Sequence, residues 1–144
     1  MVQEKYLEHE PKIAGKTYIA DSAVIVGMVE IGENSSVWPN VTMRGDVNYI
    51  KMGKFSNVQD GSVVHVAAQP CPTIIGDYVT IGHGAIVHAC VIEDNCLIGM
   101  GSVILDGAII GHGRSLAPAR WCRPARSSRR IPRLWAYPAK SWPS

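Results

Sequence analysis

Branched aliphatic residues and methionines recur every six positions along the first part of the chain. Small or turn-forming residues often follow them, as in IGEN, IGDY and IGMG. An α-helix has a period near 3.6 residues and a β-strand a period of 2, so neither element explains this repeat. Very short strands that each send one side chain into a shared interior do explain it. The repeated positions are Ile19, Ile25, Ile31, Val37, Met43, Met52, Val58, Val64, Ile75, Ile81, Val87, Ile92, Ile98, Ile104 and Ile110.

The repeat predicts an all-β fold, a solenoid of parallel strands that forms a β-helix with three faces and about 18 residues per coil. The Gly, Asn and Asp residues between the repeated positions are suited to its tight corners. We expect one β-helix domain over residues 1–113, because the repeat ends there. Residues 114–144 form a separate, atypical basic segment.

Two histidines share one slot of the predicted coil. The stretch AAQPCP interrupts the repeat and is expected to bulge out as a loop, which places Val64 and Val87 one coil apart. His65 and His88 directly follow these residues, so they lie on the same face, about 4.8 Å apart. They point outward because the residues beside them point inward. This spacing suits two ligands of one ion.

His83 belongs to the preceding face and points away from that pair. It completes a three-histidine site most simply from a neighbouring subunit. Three neutral imidazoles with an open fourth position suit catalytic Zn²⁺, and Fe²⁺ or Co²⁺ could occupy the same ligands. The alternative is three unrelated polar histidines on the solenoid surface. His9 and His112 lie outside the pattern and are expected at the surface.

Two long stretches of the chain resemble the gamma-class carbonic anhydrase-like family. They are VWPNVTMRGDVNYIKMGKFSNVQDGSVVHV and IGDYVTIGHGAIVHACVIEDNCLIGMGSVILDGAIIG, and the resemblance covers roughly residues 10–113. It implies a left-handed β-helix of hexapeptide repeats, a homotrimer, and a C-terminal helix that looks truncated or altered here. It also implies metal-dependent reversible hydration of CO₂ to bicarbonate. Each metal site would take His65 and His88 from one chain and His83 from the next.

The resemblance assigns further roles residue by residue. Metal-bound water with a pKa near 7 supplies hydroxide that attacks CO₂, and side-chain amides beside it orient the reactants. Gln59 and Asn57 match the family's amide positions. Arg44, Asp46 and Asp60 match residues that form ion pairs within and across the trimer interface. Tyr137 matches a pocket tyrosine of some relatives.

Two departures from the family bear on turnover. Val47 stands where the best-studied branch carries a glutamate, and the short stretch VAAQPCP replaces an acidic loop with a proton-shuttling glutamate. Without these carboxylates the proton leaving the metal-bound water lacks its usual relay. The resemblance therefore implies a weak activity.

The tail breaks the pattern of the family. The stretch RIPRLWAYPAK, whose family-like part begins at Ile131, is similar to a family segment with one residue missing, whereas the sequence before it resembles no hexapeptide coil. A pair of compensating reading-frame errors explains this best. A genuine basic, disordered extension is the alternative.

Composition narrows the function classes. The 144 residues suffice for one domain with a core. We expect no membrane span, because no run of about 18 apolar residues occurs, and a cytoplasmic location, because MVQEKYLEHEPK is not a secretory signal. The four cysteines show no C-x-x-C pair and are expected to be reduced. All twelve acidic residues lie at or before Asp106. Residues 114–144 contain eight basic residues and no acidic one, so their net charge is +8. We nevertheless expect no nucleic-acid partner.

Two other function classes stay open. Many hexapeptide β-helices are acyltransferases that use acetyl-CoA or acyl carrier protein, with a catalytic histidine between subunits. A trimeric scaffold that keeps the fold and the metal without catalysis is the non-enzymatic alternative. Metal content and CO₂ hydration, measured on one preparation, separate the three.

Overall fold

A computed structural model of the chain describes residues 1–123, which form a left-handed parallel β-helix of about seven turns. The predicted fold class is thereby confirmed. The described residues contain seventeen short strands and no helix, so none of their elements is a helix that could cross a membrane. The expected C-terminal helix, the family-like segment from residue 131 and Tyr137 lie outside the described residues.

The strands form three faces. The first face comprises β1 (Val2–Glu4), the first halves of β4 (Val24–Ile31) and β6 (Thr42–Met52), β8 (Val63–His65), β11 (Ile86–His88), β14 (Val103–Ile104) and β17 (Trp121–Cys122). The second face comprises β2 (Lys12–Ile13), the second halves of β4 and β6, β9 (Thr73–Ile75), β12 (Val91–Ile92) and β15 (Ile109–Ile110). The third face comprises β3 (Tyr18–Ile19), β5 (Ser36–Val37), β7 (Asn57–Val58), β10 (Thr80–Ile81), β13 (Leu97–Ile98) and β16 (Ser115–Leu116).

Backbone hydrogen bonds join each coil to the next in parallel register. At one corner Gly53 N donates to Ile75 O over 2.8 Å, and one coil further Gly76 N donates to Ile92 O over 2.8 Å. On the third face Val58 pairs with Ile81, which pairs in turn with Ile98. The six-residue repeat thus becomes columns of equivalent positions that run the length of the solenoid.

The repeated aliphatic side chains fill the interior. Nearly all of them are buried, and Ile25, Met43, Ile81 and Ile104 have no exposed surface. Ile19 is partly exposed, because it lies in the first full coil at one end of the core. Fully burying such a side chain stabilises the fold by about 1.5–3 kcal/mol, so these columns supply most of the stability.

Polar groups inside the described coils are satisfied. Ser56 Oγ donates to Gly76 O over 2.8 Å and accepts from Val79 N at 2.9 Å. Within residues 1–123, no buried side-chain nitrogen or oxygen lacks a hydrogen-bond partner. All four cysteines are free, as expected, and burial raises the pKa of the Cys90 thiol above its ordinary value.

The repeat runs further than the sequence analysis expected. Strand β16 pairs with β13 and β17 pairs with β14, which places Leu116 and Cys122 at the next two repeated positions. The expectation that the repeat ends at Ile110 was therefore wrong. The Pro, Arg and Ala residues around Leu116 hide the repeat because they occupy corners and outward positions, which the core does not constrain. The division at residue 113 stays a prediction.

Every change in coil length falls at the corner between the first and second faces. The other two corners keep the six-residue step throughout the described coils. The registers give steps of ten, nine, eleven and five positions at this corner, from Gln3 to Ile13, from Met43 to Met52, from Val64 to Ile75 and from Val87 to Ile92. The predicted AAQPCP loop is the longest of these steps.

Asn48 fixes the loop over residues 66–72. It lies in the irregular part of β6 and is 1% exposed. Its Nδ2 donates to Ala67 O over 3.1 Å, while its Oδ1 accepts from Tyr49 N at 2.9 Å and from Gln69 Nε2 at 3.3 Å. At the end of the loop, Thr73 Oγ1 donates to His65 O over 2.5 Å. The irregular part of β6 and the loop over residues 66–72 therefore stabilise each other through these hydrogen bonds.

We predict that Gly53→Ala lowers the free energy of unfolding by about 2 kcal/mol. A Cβ at Gly53 would lie 2.6 Å from the Gly76 carbonyl group and 2.2 Å from Asp77 Oδ1, so one coil would have to move off the other. Urea unfolding at equal protein concentration measures the effect. Gly15→Ala is the control, since a Cβ there meets nothing within 4 Å. Equal stability of the two variants would contradict the close stacking.

We predict that Asn48→Ala makes the loop over residues 66–72 more mobile. The substitution removes the hydrogen bonds that Asn48 makes with Ala67 O and Gln69 Nε2, at a cost of about 1–3 kcal/mol. Hydrogen–deuterium exchange should become faster at the loop amides of Ala67 and Cys71, which are bonded within the loop, and stay unchanged in β13. Gln69→Ala removes a weaker bond from an exposed side chain and should change the exchange less. Unchanged loop exchange in Asn48→Ala would exclude this role.

Candidate functional site

Arg44, His65 and His88 form one column on the first face. Arg44 pairs in register with His65, and His65 with His88. The predicted placement of the two histidines in one slot is therefore found. Each directly follows a fully buried Val or Met, so alternation along the strand turns all three side chains outward.

The two imidazole rings meet through one nitrogen each. His65 Nδ1 lies 3.1 Å from His88 Nε2, and the ring centroids are 5.1 Å apart. The opposite nitrogens are held by carboxylates: His65 Nε2 lies 2.9 Å from Asp46 Oδ1, and His88 Nδ1 lies 2.5 Å from Asp106 Oδ1. The four side chains form a continuous line from Asp46 to Asp106.

Asp46 is in the enlarged corner of β6, which turns its carboxylate toward the column. Its Oδ2 accepts a hydrogen bond from Arg44 Nη1. Partial burial acts to raise the pKa of Asp46, but the hydrogen bond with His65, two backbone N–H groups and the Arg44 charge outweigh it. The pKa of Asp46 is therefore held below its ordinary value, so the group stays a carboxylate that accepts the His65 N–H.

The donor set of the pair fits a divalent metal ion. Two nitrogens bound tetrahedrally to one zinc ion lie about 3.3 Å apart, close to the 3.1 Å between His65 Nδ1 and His88 Nε2. When each neutral ring directs its single N–H to its aspartate, both facing nitrogens keep lone pairs that are directed at one point. Carboxylates that accept the opposite N–H of each ring are the usual second layer of a metal site.

His83 lies apart from the pair, at the corner between the third and first faces. His83 Nδ1 is 3.0 Å from Asp60 Oδ2, and the side chains are 52% and 46% exposed. Asp60 sits directly under His83, since Gly84 N donates to Asp60 O. The other ring nitrogen, Nε2, faces no aspartate in the described residues. Like His65 and His88, His83 thus has one ring nitrogen in contact with an aspartate, while its other ring nitrogen is available to a ligand.

Asn57 and Gln59 lie close to this corner, on the outer side of the third face. Gln59 Nε2 donates to Asn57 Oδ1 over 3.3 Å, and Asn57 Nδ2 donates to Thr80 Oγ1 over 2.9 Å. The two amides are two residues apart and therefore point the same way. Neither bonds a histidine within residues 1–123.

The expected site residues thus form two groups on one chain. The first-face group comprises Arg44, Asp46, His65 and His88; the third-face group comprises Asn57, Gln59, Asp60 and His83. Within residues 1–123, no three His, Cys, Asp or Glu side chains are arranged to hold a metal ion by themselves. The structure brings the members of each group together and keeps the groups apart.

Sequence reasoning missed two residues next to these groups. Asp106 holds His88, and Asn48 fixes the loop that follows His65. Asp106 lies 18 positions after His88 in the turn sequence LDGA. A carboxylate placed one coil beyond a histidine is the pattern that could have identified it.

Comparisons with known proteins support one family. No family model matches the chain. The protein named gamma carbonic anhydrase 1, mitochondrial, of Arabidopsis thaliana is 44% identical over 128 residues, which are 85% of this chain and 45% of that protein. The carbonic anhydrase of Geobacillus kaustophilus is 46% identical over 108 residues, 75% of this chain and 59% of that protein. The chain spans about half the length of these curated relatives.

A solved structure agrees with the fold along most of the chain. The crystal structure of a hexapeptide transferase family protein from Anaplasma phagocytophilum superposes with a TM-score of 0.70 at 36% identity, covering 85% of this chain and 75% of that one. With the coil register and the relatives above, this likeness shows that the chain belongs to the gamma carbonic anhydrase-like family of hexapeptide-repeat proteins.

Proposed function

We propose that the chain is a subunit of a homotrimeric, metal-dependent enzyme that hydrates CO₂ reversibly to bicarbonate. The carrying observation is the pair of ring nitrogens, His65 Nδ1 and His88 Nε2, which meet at 3.1 Å while aspartates hold the opposite nitrogens. The names of the relatives support the reaction.

The proposed metal ligands come from two subunits. His65 and His88 of one chain offer their facing nitrogens, and His83 of a neighbouring chain offers Nε2, since Asp60 engages its Nδ1. The three histidines of one chain lie on two outward sides of the solenoid, so a second chain is needed to bring the third one in. We propose Zn²⁺, with Fe²⁺ or Co²⁺ as alternatives, because imidazoles discriminate weakly among these ions.

Zinc held by His65, His88 and the His83 of a neighbouring chain would lower the pKa of coordinated water to about 7 and would supply hydroxide at neutral pH. The residues of the chain provide the remaining functions. Gln59 and Asn57, already linked to each other, present amide groups that can orient CO₂ and bicarbonate by hydrogen bonds. Asp46 fixes the ring of His65, and Arg44 fixes Asp46.

The proposed activity is weak because proton transfer lacks a carboxylate relay. Val47, in the enlarged corner of β6, is 53% exposed where a carboxylate would be useful. The loop over residues 66–72 contains no acidic residue. Protons must therefore leave through buffer or through another side chain, which limits turnover.

Three broader expectations accompany this proposal. The β-helix domain carries the proposed metal ligands, and Tyr137, in the segment from residue 114, stays a proposed pocket residue. No nucleic-acid or membrane partner is proposed. A cytoplasmic location remains our proposal, although three Arabidopsis relatives are named as mitochondrial.

We predict stoichiometric zinc, iron or cobalt in the purified protein and CO₂ hydration above the buffer rate. The assays are elemental analysis and stopped-flow hydration on metal-reconstituted protein. His88→Ala removes one ligand and should abolish both metal retention and activity, while His112→Ala alters an exposed histidine outside the site and should change neither. If the wild type hydrates CO₂ no faster than His88→Ala, the catalytic proposal fails.

We predict that His83→Ala and His88→Ala complement each other. Each variant alone lacks one ligand at every interface, but trimers reassembled from an equal mixture contain interfaces with His83 from one variant and the intact pair from the other. About one quarter of the interfaces should be complete in a random cyclic trimer.

The measurement is metal content and hydration rate of the co-refolded mixture against each variant refolded alone. A mixture of His65→Ala and His88→Ala is the control. Both changes remove members of the same pair, so this mixture should form no complete site. Restored activity in the control, or none in the test mixture, would contradict ligands shared in the proposed way.

Acyl transfer is the second candidate function. The Anaplasma relative is named as a hexapeptide transferase family protein, and the exposed Asp60–His83 pair has the arrangement of a general base oriented by a carboxylate. Transfer of the acetyl group from acetyl-CoA to an added amine or hydroxyl acceptor by metal-free protein, with release of free CoA, would favour this reaction if it is lost in His83→Ala and kept in His65→Ala. A trimer that binds metal but catalyses neither reaction would be the scaffold.

A further inference from the structure

We propose that Asp106 is a positioning residue of the metal centre: it orients His88 so that Nε2 faces the ion. This inference rests on the proposed function, because it concerns the same metal site. Asp106 lies in the coil that follows His88, whereas Asp46, which holds His65, lies in the coil before His65. The histidine pair is thus bracketed by one carboxylate on each side along the solenoid axis.

The turn that carries Asp106 is held above His88 by the backbone. Ala108 N donates to Leu105 O over 3.0 Å, which closes the turn, and Gly107 has a φ of 72° that favours glycine there. Gly107 N donates to Ala89 O over 2.8 Å. Since Ala89 directly follows His88, this bond fixes the height of Asp106 relative to the imidazole.

The shortened corner makes the contact possible. The step from Val87 to Ile92 is five positions instead of six, so the chain turns immediately after His88. Asp106 Oδ1 reaches His88 Nδ1 at 2.5 Å. The acceptor is a carboxylate, and hydrogen bonds to charged acceptors fix geometry more firmly than neutral ones; the side chains of His88 and Asp106 are 31% and 54% exposed.

The carboxylate of Asp106 has no other structural task in the described residues. Other corner carboxylates cap backbone groups: Asp77 Oδ1 accepts from Lys54 N and Asp94 Oδ1 accepts from Asp77 N. The side-chain hydrogen bond of Asp106 goes to His88 alone. Its turn is closed by backbone bonds, so the fold does not need the carboxylate, and the histidine is its partner.

The chemical consequence is a choice of ring nitrogen. A neutral imidazole carries one N–H, and the carboxylate favours the tautomer with that N–H at Nδ1. Nε2 then keeps its lone pair and faces His65 Nδ1 at 3.1 Å. Without Asp106, His88 can rotate or place its proton on Nε2, and both changes remove a ligand. Removing such a partner typically weakens metal affinity 10–100-fold.

The test measures Zn²⁺ affinity by chelator competition and the visible absorption of the Co²⁺-substituted protein. Asp106→Ala should weaken Zn²⁺ binding about 10–100-fold and shift the Co²⁺ bands, because the geometry of one ligand changes. Asp106→Asn keeps an acceptor oxygen and should lie between the alanine variant and the wild type. Asp94→Ala, which removes a carboxylate from the corner between the second and third faces in the coil of His88, should bind both ions as the wild type does.

The outcomes separate this inference from the proposed function. A wild type that binds no stoichiometric metal overturns both. A wild type that binds zinc, with Asp106→Ala matching it in affinity and Co²⁺ spectrum, overturns the role of Asp106 alone. Thermal unfolding of the metal-free proteins identifies a folding defect. If the alanine variant does not fold, the asparagine variant decides, and an affinity equal to that of the wild type overturns the inference.

Discussion

Parallel register between coils is the constraint on which the rest of this molecule depends. Each coil is bonded through its backbone to the coils before and after it, as at Gly53 N and Ile75 O. A position in one coil therefore has a fixed neighbour in the next. Each face of each coil sends one large side chain into the interior at the repeated position, beside smaller buried ones such as Val41 and Ala85, which explains why Ile, Val and Met recur there. The corners leave so little space that a Cβ on Gly53 would collide with the Gly76 carbonyl group.

The same constraint decides where the chain can depart from the repeat. Additional residues within a face would break the register of every later coil, whereas additional residues at a corner can bulge out of the solenoid as a loop. The departures that directly follow Arg44, His65 and His88 all occur at the corner after this column. The first departure carries Asp46 and Asn48, the second forms the loop behind His65, and the third shortens the path after His88. The column itself stays regular, so its side chains are fixed by the strand ladder while the residues that hold them vary.

The features of the structure that depend on register alone could be predicted from the sequence. The fold and the stacking of His65 on His88 follow from counting six-residue steps, because register converts sequence distance into position. Contacts that depend on how a corner turns could not be counted. Asp46 reaches His65 through an irregular strand, and Asp106 reaches His88 across a shortened turn. The coil through Leu116 and Cys122 was missed for a different reason: only its two inward positions obey the repeat, and basic corner residues surround them.

The division of the expected residues between two faces has a consequence for assembly. Outward side chains on different faces of one solenoid diverge, so the nitrogen of His83 that Asp60 leaves available cannot converge with the pair on its own chain. A site built from both groups would link metal binding to association of subunits, since an ion that contacts two chains stabilises only the assembled state. The aspartates matter in that setting because each one orients a ring before the partner arrives. Preorganised ligands lose less freedom when the site closes, and three Asp–His pairs would let two otherwise solvent-facing surfaces form a metal centre where they meet.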